Sequence, residues 1–262
     1  MKFLISSTIS KDLRQSVKIA ESLGLGIELS RIPNVISNKK PFEDVVKEME
    51  DIFGDFKGQK SVHGLFFDLS IASIDDDIRE ISIKRYLQSL DVAKAIGAKT
   101  IVYHTGNEAT IKHRKFQQAY SEDSIKFWKN YIKAYENADI IAIQENVSEN
   151  THESILKIVN AVNSPNLKAS LDTGHVNVHS TQKISDWIKG YGKELKHMHI
   201  HNNYGDDDSH LSLLKGTIDF NEVFDTIKEV NISPVIVLEI FTEKDLYESV
   251  EYLDKLGVLN EN

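Results

Sequence analysis

Imidazole and carboxylate side chains recur where the short apolar runs of this chain end. His63 lies in or at the end of the run 61–66, His104 closes 100–104, Glu145 closes 140–145 and Asp172 closes 167–172. His175 stands three residues past Asp172, His199 falls inside 197–201, Asp208 and His210 follow it, and Glu239 closes 235–239. Singly, a histidine or carboxylate in such a place is more often a hydrogen-bonded loop residue than a ligand. Their joint placement changes the reading. Glu145 and Glu239 repel each other if the fold brings those ends together, and no Lys or Arg stands at the same ends to relieve them. A metal cation is the better remedy. Imidazole with carboxylate suits Zn or Mn, and also Co or Fe, while it matches Ca and Mg poorly. The chain has no cysteine, which excludes thiolate zinc sites, iron–sulfur clusters, disulfides and a cysteine nucleophile.

Such residues need a scaffold that carries separate run ends to one place. The chain alternates short apolar runs with amphipathic stretches. The pattern predicts strands at 3–5, 26–30, 61–66, 100–104, 140–145, 167–172, 197–201 and 235–239. Helices are expected at 12–23, 42–53, 78–96, 124–137, 153–162, 184–191, 220–230 and 243–256. Alternating strands and helices imply an α/β protein with a parallel sheet. An open, doubly wound sheet is one solution. Eight strand–helix pairs in 262 residues favour closure instead, as does Ser6-Ser7-Thr8-Ile9 where a glycine-rich phosphate loop would follow the first strand. The expected architecture is a single (β/α)8 TIM barrel over residues 1–262, with all nine candidate ligands at the mouth formed by the C-terminal strand ends.

Composition sets further bounds. A chain with 40% hydrophobic and 27% charged residues is ordinary for a globular domain with a real core. The 31 Lys+Arg against 40 Asp+Glu leave a net charge of −9, which argues against general polyanion binding. One basic cluster, Lys112-His113-Arg114-Lys115, reads either as a phosphate contact or as a solvated helix start. The apolar run near the N-terminus is too short for a signal peptide, and no stretch nears the roughly 20 apolar residues of a membrane helix. A cytoplasmic protein with no membrane partner is expected.

Several segments carry a family resemblance. His63-Gly64-Leu65-Phe66, Tyr103-His104-Thr105-Gly106, Gln144-Glu145-Asn146 and Asp172-Thr173-Gly174-His175 come first. His197-Met198-His199 and Asp208-Ser209-His210 follow, with Leu213 and Gly216 beyond them. In order and spacing they resemble the xylose-isomerase-like TIM-barrel superfamily, which includes sugar isomerases and epimerases and abasic-site nucleases of the endonuclease IV type (AP endonuclease family 2). The resemblance implies that Glu145, Asp172, His199 and Glu239 form the metal site common to epimerases and nucleases. It implies that His63 and His104 form a neighbouring site sharing Glu145, and that His175, Asp208 and His210 form the third site of the nucleases. Two or three divalent ions per chain, and barrels that can pair as homodimers, follow from it. The sequence departs from the epimerases after His199: Ile200-His201-Asn202-Asn203-Tyr204-Gly205 lacks the Arg that they place there.

Two chemistries result. In a sugar or sugar-phosphate isomerase or epimerase, a metal-polarised carbonyl acidifies the neighbouring C–H, and Glu145 and Glu239 exchange the proton as base and acid. His201, Lys215 and Phe66 are the expected contacts to a small carbohydrate, although Phe66 and Phe67 also read as packing residues of the third loop. The alternative is a di- or trinuclear zinc phosphodiesterase acting on abasic nucleic acid. The complete ligand set favours it, and the acidic balance opposes it, since phosphate contacts supply most nucleic-acid affinity. A non-enzymatic binder on the same barrel is a third reading. His197 is expected deeper in the barrel, and Asn146 and Asn177 are expected to orient ligands by hydrogen bonds.

Overall fold

The computed structural model describes residues 1–33 and 40–259. The apolar runs become eight strands: β1 (Lys2–Ser6), β2 (Gly26–Leu29), β3 (Lys60–His63), β4 (Thr100–His104), β5 (Ile141–Glu145), β6 (Leu167–Asp172), β7 (Leu195–Ile200) and β8 (Val235–Leu238). Neighbours in sequence pair in parallel, and β8 returns to β1 from Lys2↔Val235 to Ile5↔Leu238, closing the sheet. Around it run α1 (Leu13–Leu23), α2 (Phe42–Phe53), α3 (Asp76–Ile96), α4 (Arg114–Ala138), α5 (Glu153–Val162), α6 (Thr173–His179), α7 (Ile184–Tyr191), α8 (Phe220–Val230) and α9 (Glu243–Lys255). The chain is thus a single (β/α)8 barrel. No helix among the described residues is long and apolar enough to cross a membrane.

Side chains alternate across a strand, so each strand feeds two environments. Phe3, Ile5, Ile27, Leu29, Val62, Tyr103, Leu171, Met198 and Leu238 join helical residues in one apolar core. Leu4, Val102, Ile143 and Val237 are fully buried but lie outside that cluster, because they fill the barrel interior. Above them, toward the C-terminal strand ends, the inward positions turn polar. The registers His104↔Glu145 and Asp172↔His199 set these polar residues side by side across adjacent strands.

Helix ends follow the capping rules. The Asp75 carboxylate accepts from the Asp77 and Ile78 amides at the start of α3, and Gly97, at φ +73°, ends it in the left-handed region. Two elements differ from the sequence expectation. α4 begins ten residues before 124, because its first turns carry few apolar residues and only Tyr120 and Ser121 of that stretch are buried. Lys112, His113, Arg114 and Lys115 are all exposed where it starts, which makes the basic cluster a solvated helix start. α6 was not expected at all. It is too short for an apolar period to show, and Asp172 starts it by accepting from the His175 amide at 2.7 Å.

The outer layer is anchored by aromatics. Tyr86 of α3 stacks on Tyr103 of β4 at 4.1 Å, and the fully buried Trp128 of α4 lies 5.0 Å from Phe127 and 6.1 Å from Tyr103. Trp128→Ala is expected to cost about 3–5 kcal/mol in urea unfolding, from lost burial plus the cavity left behind. Phe67→Ala, at a side chain 60% exposed, is expected to stay within about 0.5 kcal/mol of the parent. Equal effects would contradict this placement of the core.

Candidate metal centre

Four donors meet at the barrel mouth. Glu145 ends β5, Asp172 ends β6, His199 lies near the end of β7 and Glu239 follows β8, with one ligand atom of each within 4.8 Å of the others. His199 Nδ1 is hydrogen-bonded to Glu145 Oε1. It stands 3.3 Å from Glu239 Oε2 and 3.9 Å from Asp172 Oδ2. Three carboxylates therefore crowd one imidazole nitrogen. Glu145, Asp172 and His199 are fully buried, yet Glu145 Oε2 and Asp172 Oδ2 have no hydrogen-bond partner. A buried carboxylate oxygen left unpaired is costly, and such exceptions call for a reason. A divalent cation fits: the donors are the hard and borderline kind that Zn or Mn takes, and the orphaned oxygens lie among them.

A second group shares Glu145. His63 Nε2 lies 3.3 Å and His104 Nε2 3.4 Å from Glu145 Oε2. A third surrounds Asp208, on the loop after β7. His210 Nε2 is 3.0 Å and His175 Nε2 3.4 Å from Asp208 Oδ2. All nine candidate ligands from the sequence thus lie in one linked cluster. His201, expected only as a substrate contact, joins it. Its Nε2 lies 3.2 Å from Asp172 Oδ1 and 3.5 Å from Asp208 Oδ1, and its ring stacks on His210 at 3.9 Å.

The protein also fixes which nitrogen faces the cluster. A carbonyl oxygen can only accept, so a ring nitrogen bonded to one must carry the proton. His63 Nδ1 donates to Gly64 O, His175 Nδ1 to Asn146 O and His210 Nδ1 to Glu239 O, at 3.0, 2.8 and 2.8 Å. Each leaves Nε2 free to act as a donor atom toward an ion. His210 holds its pose at φ +49°, a left-handed conformation uncommon outside glycine. Asn146 pins β5 to β6, donating to Asp172 O and accepting from Asp172 N. Asn177 donates to Asn203 Oδ1 and Thr217 Oγ1, so it supports the loops.

Electrostatics follow from burial and mutual contact. Burial drives His104 down to about 3, offset only in part by Glu145, so this ring is neutral. Burial alone would lift Asp172, but His175 and His201 hold it at about 2. Burial opposes protonation of His199, yet Glu145 and Glu239 raise it well above the usual histidine range. His175 is raised likewise, where Asp172 overcomes the cost of burial, and Asp208 overcomes it at His210, raised to about 9. The raised imidazoles of His175, His199 and His210 face the buried carboxylates.

The remaining expected residues offer no ligand atom to the four-donor group. Phe66 packs on His104 at 4.1 Å and on His63 at 4.8 Å, forming a wall of the mouth. Lys215 is held by Asp245 and Glu248 of α9, so its ammonium is committed there. His197 lies deeper, fully buried. The sequence reading missed Glu28 of β2, also fully buried, whose Oε1 accepts from His199 Nε2 at 2.8 Å. The one signal is an acid between Ile27 and Leu29 in a strand buried at every position, where a carboxylate needs a buried partner.

Comparison with known proteins agrees with this architecture. The chain belongs to the xylose isomerase-like TIM barrel family, whose sequence profile matches residues 13–256. The protein MJ1311 of Methanocaldococcus jannaschii is 26% identical over 239 residues, covering 82% of this chain and 76% of its own. Among solved structures, a D-tagatose 3-epimerase-like protein superposes with a TM-score of 0.83 at 24% identity, covering 100% of this chain and 99% of its own. The IolI protein, whose structure holds a bound zinc atom, superposes with a TM-score of 0.77 at 18% identity over 100% of this chain and 99% of its own.

Two outcomes are expected. Histidines whose pKa is raised hold a proton more firmly than a free imidazole, and an ion must displace such protons. Zinc binding should therefore release protons, seen by calorimetry in buffers of different ionisation enthalpy, and should weaken as pH falls. Binding without proton release would contradict the assignment. A Cβ on Gly174 would lie 1.9 Å from His201 Cε1, so Gly174→Ala should displace His201 and lower ion uptake at the Asp208 group. Unchanged zinc stoichiometry and affinity would show that His201 does not contribute.

Proposed function

We propose that this protein is a divalent-metal-dependent isomerase or epimerase of a small sugar or sugar phosphate. The observation that carries the reading is the approach of Glu145 and Glu239, from opposite sides of the β6–β7 pair, to the same imidazole nitrogen of His199. Glu145, Asp172, His199 and Glu239 would hold a divalent ion, which would supply Lewis acidity toward a substrate carbonyl and so acidify the C–H beside it. One carboxylate accepts that proton. The C–H electron pair forms a C=C bond and the carbonyl π pair moves onto its oxygen, giving an enediolate. The other, present as the carboxylic acid, returns a proton to the opposite face of the same carbon for epimerisation, or to the former carbonyl carbon for isomerisation, in which case the neighbouring hydroxyl proton also passes to the former carbonyl oxygen. His201 and Phe66 border the space in which the rest of the substrate lies. The fold likeness to a D-tagatose 3-epimerase-like protein supports a carbohydrate substrate.

One observation favours a second reading. The His63–His104 pair and the Asp208 group complete a set of donors for more than one ion. Two or three ions, zinc or manganese, with phosphodiester hydrolysis on abasic nucleic acid, is the chemistry of such a set. The net charge of −9 weighs against a nucleic-acid partner.

The readings separate in one experiment. With Zn or Mn, the purified protein should catalyse deuterium exchange from D2O into the carbon beside the carbonyl of at least one ketose in a panel. Glu145→Gln and Glu239→Gln should each lower that exchange by about 10²-fold or more. Metal-dependent incision of abasic DNA, abolished by Glu145→Gln and accompanied by no exchange on any sugar, would overturn the isomerase reading. One bound ion per chain, with Asp208→Ala silent, would remove the multinuclear one.

A further inference from the structure

His199 differs from the other histidines of the cluster. His63, His175 and His210 spend Nδ1 on a backbone carbonyl and present Nε2. His199 presents Nδ1 to Glu145, Glu239 and Asp172, and its Nε2 points down the barrel. Its backbone lies within β7, where the carbonyls serve the sheet, so the partner for Nε2 has to come from across the interior. Glu28 is that partner. It lies on β2, 171 residues away in sequence, and its Oε1 accepts from His199 Nε2 at 2.8 Å. Its other oxygen is engaged separately: Ser61 Oγ of β3 donates to Oε2 at 2.7 Å, and His197 Nε2 lies 3.2 Å from it. His197 in turn has Ser170 Oγ of β6 at 3.3 Å from Nδ1. Glu28, Ser61, Ser170, His197 and His199 are all fully buried. A carboxylate so deep, with each oxygen assigned a separate partner, has no role in filling space that an apolar residue would not perform at lower cost.

We infer that Glu28 is the positioning residue of His199: it holds the Nε2 proton, so that Nδ1 is the ring's ligating atom, and Ser61 holds Glu28 in that pose with His197 beside it. The inference rests on the proposed metal reading. It extends that reading by assigning a carboxylate one layer below the ion as the group that sets ligand orientation. Removing a partner of this kind typically costs about 10- to 100-fold in metal affinity.

The test uses the full chain, ¹⁵N-histidine labelled and loaded with zinc. In the parent protein, His199 should show a protonated Nε2 and a zinc-bound Nδ1. Zinc affinity is measured by chelator competition for the ion whose binding moves the His199 resonances. Glu28→Leu removes the acceptor and should weaken that ion about 10- to 100-fold. Glu28→Gln retains an acceptor oxygen, and should keep the Nε2–H tautomer with a smaller loss. A parent protein that binds zinc through His199 Nε2 overturns the inference while leaving the metal reading intact. So does Glu28→Leu binding as tightly as the parent, or zinc seen on the His197 resonances instead. No zinc bound by the parent overturns both. If Glu28→Leu does not fold, the tautomer in the parent and the Glu28→Gln affinity still decide.

Discussion

The arrangement depends on one constraint, the concentration of buried charge in one half of a parallel barrel. Glu28, Glu145, Asp172, His197, His199 and His201 are each fully removed from solvent. A lone carboxylate there would be far too costly to ionise, and a buried ionic group persists only where its partners compensate it. Part of the compensation comes from imidazoles, since the carboxylates that face His175, His199 and His210 raise them. That solution is incomplete, because Glu145 Oε2, Asp172 Oδ2 and Asp208 Oδ1 keep no hydrogen-bond partner. A cation among the donors satisfies what protons leave unsatisfied, and this is why the residues read as a metal centre rather than as a structural ion-pair network.

The barrel divides the labour. Its outward positions and the aromatic group around Trp128 give the stability that such a polar interior consumes. Its strand ends give rigid positions for Glu145, Asp172 and His199. Asp208 and His210 come from the loop after β7, and that loop is built around Asn202. Asn202 Nδ2 donates to Leu213 O and Ile218 O, its Oδ1 accepts from Asn203 N and Ile218 N, and its backbone bridges Leu211. Gly216, at φ +143°, lets the chain pass where a Cβ would meet Asn202 Oδ1 at 2.2 Å. The two loop donors thus spring from backbone that is held by hydrogen bonds at Asn202 and Leu211.

Much of this was legible in the sequence, and for a physical reason. In a parallel barrel the chain itself marks the mouth: an apolar run that ends in His, Asp or Glu places that side chain at the C-terminal rim. His104, Glu145, Asp172 and Glu239 were readable that way. What the sequence hid are contacts made across the interior. Nothing near Glu28 hints that it meets His199 on the far side of the barrel, and nothing near His201 shows that Gly174 leaves room for its ring. Lys215 is expected from the sequence as a substrate contact. Asp245 and Glu248, thirty or more residues on, hold it instead. α6 and the first turns of α4 escaped because a helix held by one capping carboxylate, or by a mostly polar surface, leaves little apolar period to read.

The central claim is that Glu145, Asp172, His199 and Glu239 together hold a divalent cation. Anomalous scattering at the zinc edge from crystals equilibrated with zinc tests it most directly. A four-donor centre predicts a peak about 2.0–2.2 Å from His199 Nδ1 and from carboxylate oxygens of the three acids. A clear anomalous map with no peak among those four side chains, or zinc bound only on surface histidines, would contradict it.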